Sequence, residues 1–221
     1  MNRRQMLGFS AAGLVAAAPC GSAMAAGKKG GLRKFTNEEF YKNGEFDQEA
    51  GLKAYQELFE HHDYSLRDSL KGNKDFWAAD FKQNDFARVG MGGIFWVNEK
   101  EYGYFGHEIF LLPGQMIVEH AHAPAEDKPA KHECWQVRHG SIYTFGEGDE
   151  TVECEFDLPK SQKGHITTKC VGKLEVGDMA ALNRLEAPHF MMGGPEGAIV
   201  TEYGSFHSGD GLRFTNPTVG F

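Results

Sequence analysis

The stretch that decides the fold begins Gly114-Gln115-Met116-Ile117-Val118-Glu119-His120-Ala121-His122 and, past a Pro- and Ala-rich interval, resumes as Lys131-His132-Glu133-Cys134-Trp135 and ends at Gly140. Five residues separate Gly114 from His120, ten separate His122 from Glu133, and six separate Glu133 from Gly140. This spacing describes a strand, a loop and a second strand. Alternate residues of a strand share a face, so His120 and His122 point the same way. Neutral imidazoles with a carboxylate are a ligand set for Mn, Fe, Zn, Co or Ni. Pro188-His189, in a strand beginning after Gly177-Asp178, can supply a third imidazole.

Outward from this stretch the pattern is that of a β protein. From Gly90 onward, short apolar or alternating runs are separated by Gly, Pro, Asp and Asn. The runs are Gly93–Val97, Tyr104–Leu112, Met116–His122, Cys134–Arg138, Ser141–Phe145, Val152–Phe156, Ile166–Val171, Met179–Leu182, Ala187–Met192 and Ala198–Tyr203. Many short strands with regular turns predict a double-sheet jelly roll over residues 90–221. A composition with 28 Gly and 17 Phe agrees with a turn-rich, aromatic-packed β domain. Residues 27–89 read as an N-terminal helical extension packed on the barrel. Thr36-Asn37-Glu38-Glu39 has capping-box form, and apolar residues from Asp47 to His61 recur at three and four, predicting an amphipathic helix. Gly72 to Phe86 reads as an ordered loop lying on the barrel.

Residues 1–26 read as a twin-arginine signal peptide: Arg3-Arg4, a weakly apolar run, then Ala23-Met24-Ala25 as a small-residue cleavage pattern. Export to the periplasm or medium is expected. Beyond it, Cys134, Cys154 and Cys170 allow one bridge in an oxidising compartment but no disulfide framework. The net charge of −8 argues against nucleic acid or an anionic membrane surface as partner, and exposed barrel edges make a homodimer an expectation.

Gly114, His120, His122, Glu133 and Gly140 fit the first motif of the cupin superfamily, which the chain resembles. Gly177 and His189 fit its looser second motif, without the usual Pro-x-Gly turn. The resemblance implies a mainly β fold, the cupin double-stranded β-helix with the N-terminal helices on it. It also implies one divalent ion held by His120, His122, Glu133 and His189, with Mn first and Zn, Fe or Co as alternatives.

A narrower resemblance rests on His120-Ala121-His122, Lys131-His132-Glu133 and the tail Val200-Thr201-Glu202-Tyr203, Asp210 and Arg213-Phe214. These look like the D-lyxose ketol-isomerase family of cupins over roughly Asp75 to Pro217. That likeness implies a metal-dependent aldose–ketose isomerase acting on a free sugar such as D-lyxose (to D-xylulose) or D-mannose, with Glu202 as base. Lys131, two residues before Glu133, is either a ligand of a sugar oxygen or stabiliser of the enediolate, or a solvated loop lysine. Trp135, in phase with Glu133, is either a sugar-stacking wall or core. Arg213 either contacts a substrate hydroxyl or serves structure. Glu108, His107 and Glu119 enter only by their nearness to the motif; His61, His62, His139, His165 and His207 read as surface or core. The exported N-terminus departs from the family, whose isomerases are usually cytosolic. A cupin dioxygenase and a non-enzymatic metal- or sugar-binding cupin are the alternatives, since the fold alone leaves function open.

Overall fold

In the computed structural model, which describes residues 31–71, 74–150 and 157–221 and all of their side chains but those of Ser69 and Lys71, the capping box at Thr36 closes as expected. The Glu39 carboxylate accepts from the Thr36 amide at 2.8 Å, but the turn it caps is a single 3-10 turn, Asn37–Glu39. A two-strand ribbon follows, β1 (Tyr41–Lys42) and β2 (Glu45–Phe46), then helix α1 (Gln48–His61) and the short α2 (Asp68–Lys71). Asp47 caps α1 by accepting from the amides of Glu49 and Ala50, satisfying two of the four amides that a helix start leaves free.

The β domain comprises β3 (Phe76–Ala79), β4 (Met91–Glu99), β5 (Tyr104–Leu111), β6 (His120–His122), β7 (Glu133–Gly146), β8 (Lys169–Glu175), β9 (Met179–Ala181), β10 (Phe190–Gly204) and β11 (Leu212–Phe214). One antiparallel sheet runs β3-β4-β5-β10-β7-β8, with β9 also on β7; β6 pairs with β11. The two layers are joined where residues 116–122 run against residues 189–192. Met116 bridges Met192 and His120 bridges His189, with amide–carbonyl bonds of 3.0 and 2.9 Å exchanged between the two histidines. This is the expected double-stranded β-helix.

The alternation of β5 and β10 divides the apolar residues into two cores. Ile109, Leu111, Ala198 and Val200 face the barrel interior; Phe110 and Ile199 face outward onto Tyr55, Leu58 and Phe59 of α1. Each such side chain contributes about 1.5–3 kcal/mol by leaving water, so α1 is an integral wall of the fold.

Several boundaries differ from the sequence reading. Cys134–Arg138 and Ser141–Phe145 are one strand, β7, because Gly140 bends it without ending it. Gly140 has φ +70°, and a Cβ there would lie 2.0 Å from the Gly197 carbonyl oxygen, so only glycine fits. Likewise the last two predicted strands merge into β10 across a register shift between Gly193 and Ala198. Phe76–Ala79, expected as loop, is the edge strand β3 on β4; it is four residues long and buries only alternate side chains, too short a signal to stand out. Val152–Phe156 and the signal peptide lie outside the described residues. No helix among the described residues is long and apolar enough to cross a membrane.

Candidate active site

β6 presents His120 and His122, the first residue of β7 is Glu133, and His189 stands just before β10. Their ligand atoms all lie within 4.8 Å of one another, although 68 residues of chain separate His120 from His189. The orientation of two imidazoles is set by the backbone. His120 Nδ1 lies 2.9 Å from the Val118 carbonyl and His189 Nδ1 2.9 Å from the Ala187 carbonyl. A carbonyl only accepts, so Nδ1 carries the proton in each ring and Nε2 turns a lone pair inward.

The donor set fits a cation. His122 Nε2 and His189 Nε2 are buried without a hydrogen bond, yet His189 Nε2 lies 2.7 Å from Glu133 Oε1 and His122 Nε2 3.3 Å from Glu133 Oε2. A lone pair that close to a carboxylate oxygen repels it unless a proton or a metal ion lies between. Burial pushes the His120 imidazolium well down, helped by His189 and His122. Burial would also push His189 down, but the adjacent Glu133 carboxylate outweighs it and raises it. Glu133 itself is held well below the usual carboxylate range: burial opposes ionisation, and the Lys131 ammonium and the two histidines overcome it. Three imidazoles and an ionised carboxylate are what a borderline divalent ion takes.

A second group adjoins the first. Lys131 Nζ is 2.5 Å from Glu133 Oε2 and also pairs with Glu202 Oε1. Burial works against this ammonium, and the two carboxylates outweigh it, so its proton is held more tightly than usual. The other Glu202 oxygen, Oε2, lies 3.3 Å from His107 Nδ1. Glu202 and His107 are directly opposite each other on β10 and β5, and all three side chains are buried.

Both groups line one cavity of about 370 Å³. Trp135 lines it too, its ring centroid 5.5 Å from that of His189. Arg213 does not. Its neighbours Leu212 and Phe214 face the cavity, so Arg213 between them on β11 faces solvent and donates to the carbonyls of Asp210 and Leu212; the expected substrate contact is corrected by strand alternation. Cys134, next to a ligand, is a free thiol outside the ligand cluster.

No family model matches the sequence. The chain is 31% identical over 141 residues to the D-lyxose/D-mannose isomerase of Thermosediminibacter oceani, covering 64% of this chain and 76% of that protein. The chain belongs to the D-lyxose ketol-isomerase family. It is accordingly an isomerase. A second family member, the D-lyxose ketol-isomerase of Cohnella laeviribosi, is 29% identical over the same shares of the two chains. Among solved structures, the L-ribose isomerase of Acinetobacter sp. DL28 in complex with L-ribose superposes over 85% of this chain and 96% of that one, with TM-score 0.59 and 14% identity. The Cellulomonas parahominis L-ribose isomerase with L-psicose covers 76% and 90%, with TM-score 0.53 and 15% identity. At such identities these two show a shared fold.

Within this family member, the sequence reading missed His107 and His207 as cavity residues. His107 was noted only for its nearness to the motif, and its partner Glu202 is 95 residues away; only the β5–β10 register brings them together. His207 is pinned from the backbone, its amide donating to Asn98 Oδ1 and its carbonyl accepting from Asn98 Nδ2, a contact with no local signature. Glu119 and Glu108, the other near neighbours, are structural. Glu119 accepts from the amides and hydroxyls of Thr167 and Thr168; Glu108 accepts from Tyr64 and Thr201.

Proposed function

We propose that this protein is a metal-dependent aldose–ketose isomerase acting on a free sugar of the D-lyxose or D-mannose type, with Glu202 as its base. The observation that carries the reading is the juxtaposition of two buried groups in one cavity: a three-histidine, one-glutamate cluster, and a carboxylate, Glu202, held at both oxygens. His120, His122, Glu133 and His189 would hold the divalent ion, which when bound would supply Lewis acidity toward the oxygens of the open-chain sugar.

The C–H beside a sugar carbonyl is weakly acidic, so its proton needs a positioned base. Glu202 takes the proton from C2 and returns it to C1, while the hydroxyl proton passes from O2 to O1, so that the C1 carbonyl becomes a hydroxyl and the C2 hydroxyl a carbonyl. Lys131, kept charged between Glu133 and Glu202, faces the negative charge that develops on the sugar oxygens and stabilises it electrostatically. Trp135 forms an apolar wall for the C–H face of the sugar. The test is a panel of pentoses and hexoses assayed for ketose product with Mn-loaded protein, before and after chelation. Conversion of D-lyxose or D-mannose that stops on chelation supports the reading; metal-loaded protein that converts no aldose contradicts it.

Export and metal choice belong to the same proposal. Arg3-Arg4 and Ala23-Met24-Ala25 support a twin-arginine signal over residues 1–26, and the disulfide on Cys170 suits an oxidising compartment. By affinity alone such a site favours Cu or Zn over Mn. Twin-arginine substrates cross folded, so Mn taken up in the cytoplasm would travel with the protein. Equal Mn content after exchange of the leader for a Sec signal would count against that route.

A further inference from the structure

We infer that His107 is a positioning residue, whose imidazole holds the Glu202 carboxylate in place for proton transfer; this rests on the isomerase reading. Glu202 is gripped from two sides by different chemistry, Oε1 by the Lys131 ammonium and Oε2 by His107 Nδ1. The carboxylate only accepts, so His107 Nδ1 carries the proton and donates to Oε2. Nε2 is buried without a hydrogen-bond partner, so no competing contact turns the ring away from Glu202.

The imidazole is itself immobilised by its surroundings. The Trp77 ring stacks on it, with centroids 5.7 Å apart and planes 18° apart. Phe95 packs at 4.6 Å and Phe105 at 5.7 Å from its other sides. Below it lies Gly93, where a Cβ would come within 2.2 Å of His107 Nε2, so the ring occupies space that any other residue at position 93 would take. Three aromatic rings and a missing side chain thus hold one imidazole, and that imidazole holds one carboxylate oxygen. Glu202 crosses from β10 to meet it in direct register on β5, so the pairing is built into the sheet. A base held at both oxygens keeps one approach toward C2 and C1, which a proton transfer between adjacent carbons requires.

The experiment has two arms. In the first, His107→Phe keeps the ring packing and removes the donor, while His107→Asn keeps a donor near the Nδ1 position. With metal-loaded enzyme and a converted aldose, His107→Phe lowers kcat by about tenfold to a hundredfold, the loss expected for a hydrogen bond to a charged group, and leaves KM nearly unchanged. His107→Asn returns most of that loss. The isotope effect with substrate deuterated at C2 rises in His107→Phe, because C–H cleavage has become slower. A kcat within about twofold of wild type, or a loss lying wholly in KM, overturns the inference.

The second arm needs no turnover. Imidazole nitrogen NMR of the metal-free protein reports the tautomer directly. The inference requires Nδ1–H at His107 and a change in that signal in Glu202→Gln. An Nε2–H tautomer, or a signal indifferent to position 202, overturns it even if the enzyme is active. Wild-type protein that converts no aldose overturns the isomerase reading and the positioning role with it, whatever the tautomer.

Discussion

Replacing Gln115 with leucine tests how the N-terminal helix is locked to the barrel. Gln115 is fully buried between α1 and the sheet. Its Oε1 accepts from the Tyr55 hydroxyl at 2.7 Å and from the Leu112 amide at 3.0 Å, and its Nε2 donates to the Phe86 carbonyl at 2.5 Å. Leucine has nearly the same volume, so packing is kept while three buried polar groups lose their partner. Each such orphan costs about 1–3 kcal/mol; with partial relaxation the sum is about 3–6 kcal/mol. Native domains have only about 5–15 kcal/mol in total, and at about 2–4 °C per kcal/mol for a chain of this size Tm falls by about 6–24 °C. The assay is urea unfolding of metal-free protein, so that bound ion adds nothing to the folded state, with thermal unfolding in parallel. Tyr55→Phe is the control: Leu112 still satisfies Gln115 Oε1, so the loss is about 1–2 kcal/mol. A Gln115→Leu loss below about 1 kcal/mol with unchanged m-value would show that these bonds do not hold the two cores together.

Further outcomes follow from the same geometry. Saturating Mn at a hundred times its Kd stabilises the wild type by about 2.7 kcal/mol; in His189→Ala, metal analysis shows the ion lost and the thermal shift vanishes with it. Glu119→Leu orphans the amides of Thr167 and Thr168, lowers stability by about 2–4 kcal/mol, and speeds hydrogen exchange at those two amides more than elsewhere. Arg213→Ala, outside the cavity, leaves kcat/KM within about twofold of wild type; a larger fall would return Arg213 to the substrate.

How much of this was legible in the sequence depended on the range of the signal. His120 and His122 are two residues apart and Glu133 eleven further on, so the strand–loop–strand frame announces three ligands locally. His189 was reachable because a Pro-His pair after a Gly-Asp turn fits one known frame. α1 was legible to within a residue, because Asp47 and the three-four apolar repeat are local as well. What the sequence could not show was register. The Glu202–His107 pair, the Asn98 clasp on His207 and the outward turn of Arg213 follow from which strand lies beside which, and no local pattern encodes that. Strand continuity failed for a related reason. Gly140 and Gly193-Gly194 look like breaks, whereas in the sheet they are bends, Gly140 lying against the Gly197 carbonyl.

The most direct test of the isomerase reading is ketose formation from D-lyxose and D-mannose by Mn-loaded wild type and Glu202→Gln, with bound metal counted in both. We predict conversion by the wild type and loss of conversion in Glu202→Gln at undiminished metal content. Equal turnover by the two proteins, each with its metal, would remove Glu202 as the base and contradict the mechanism.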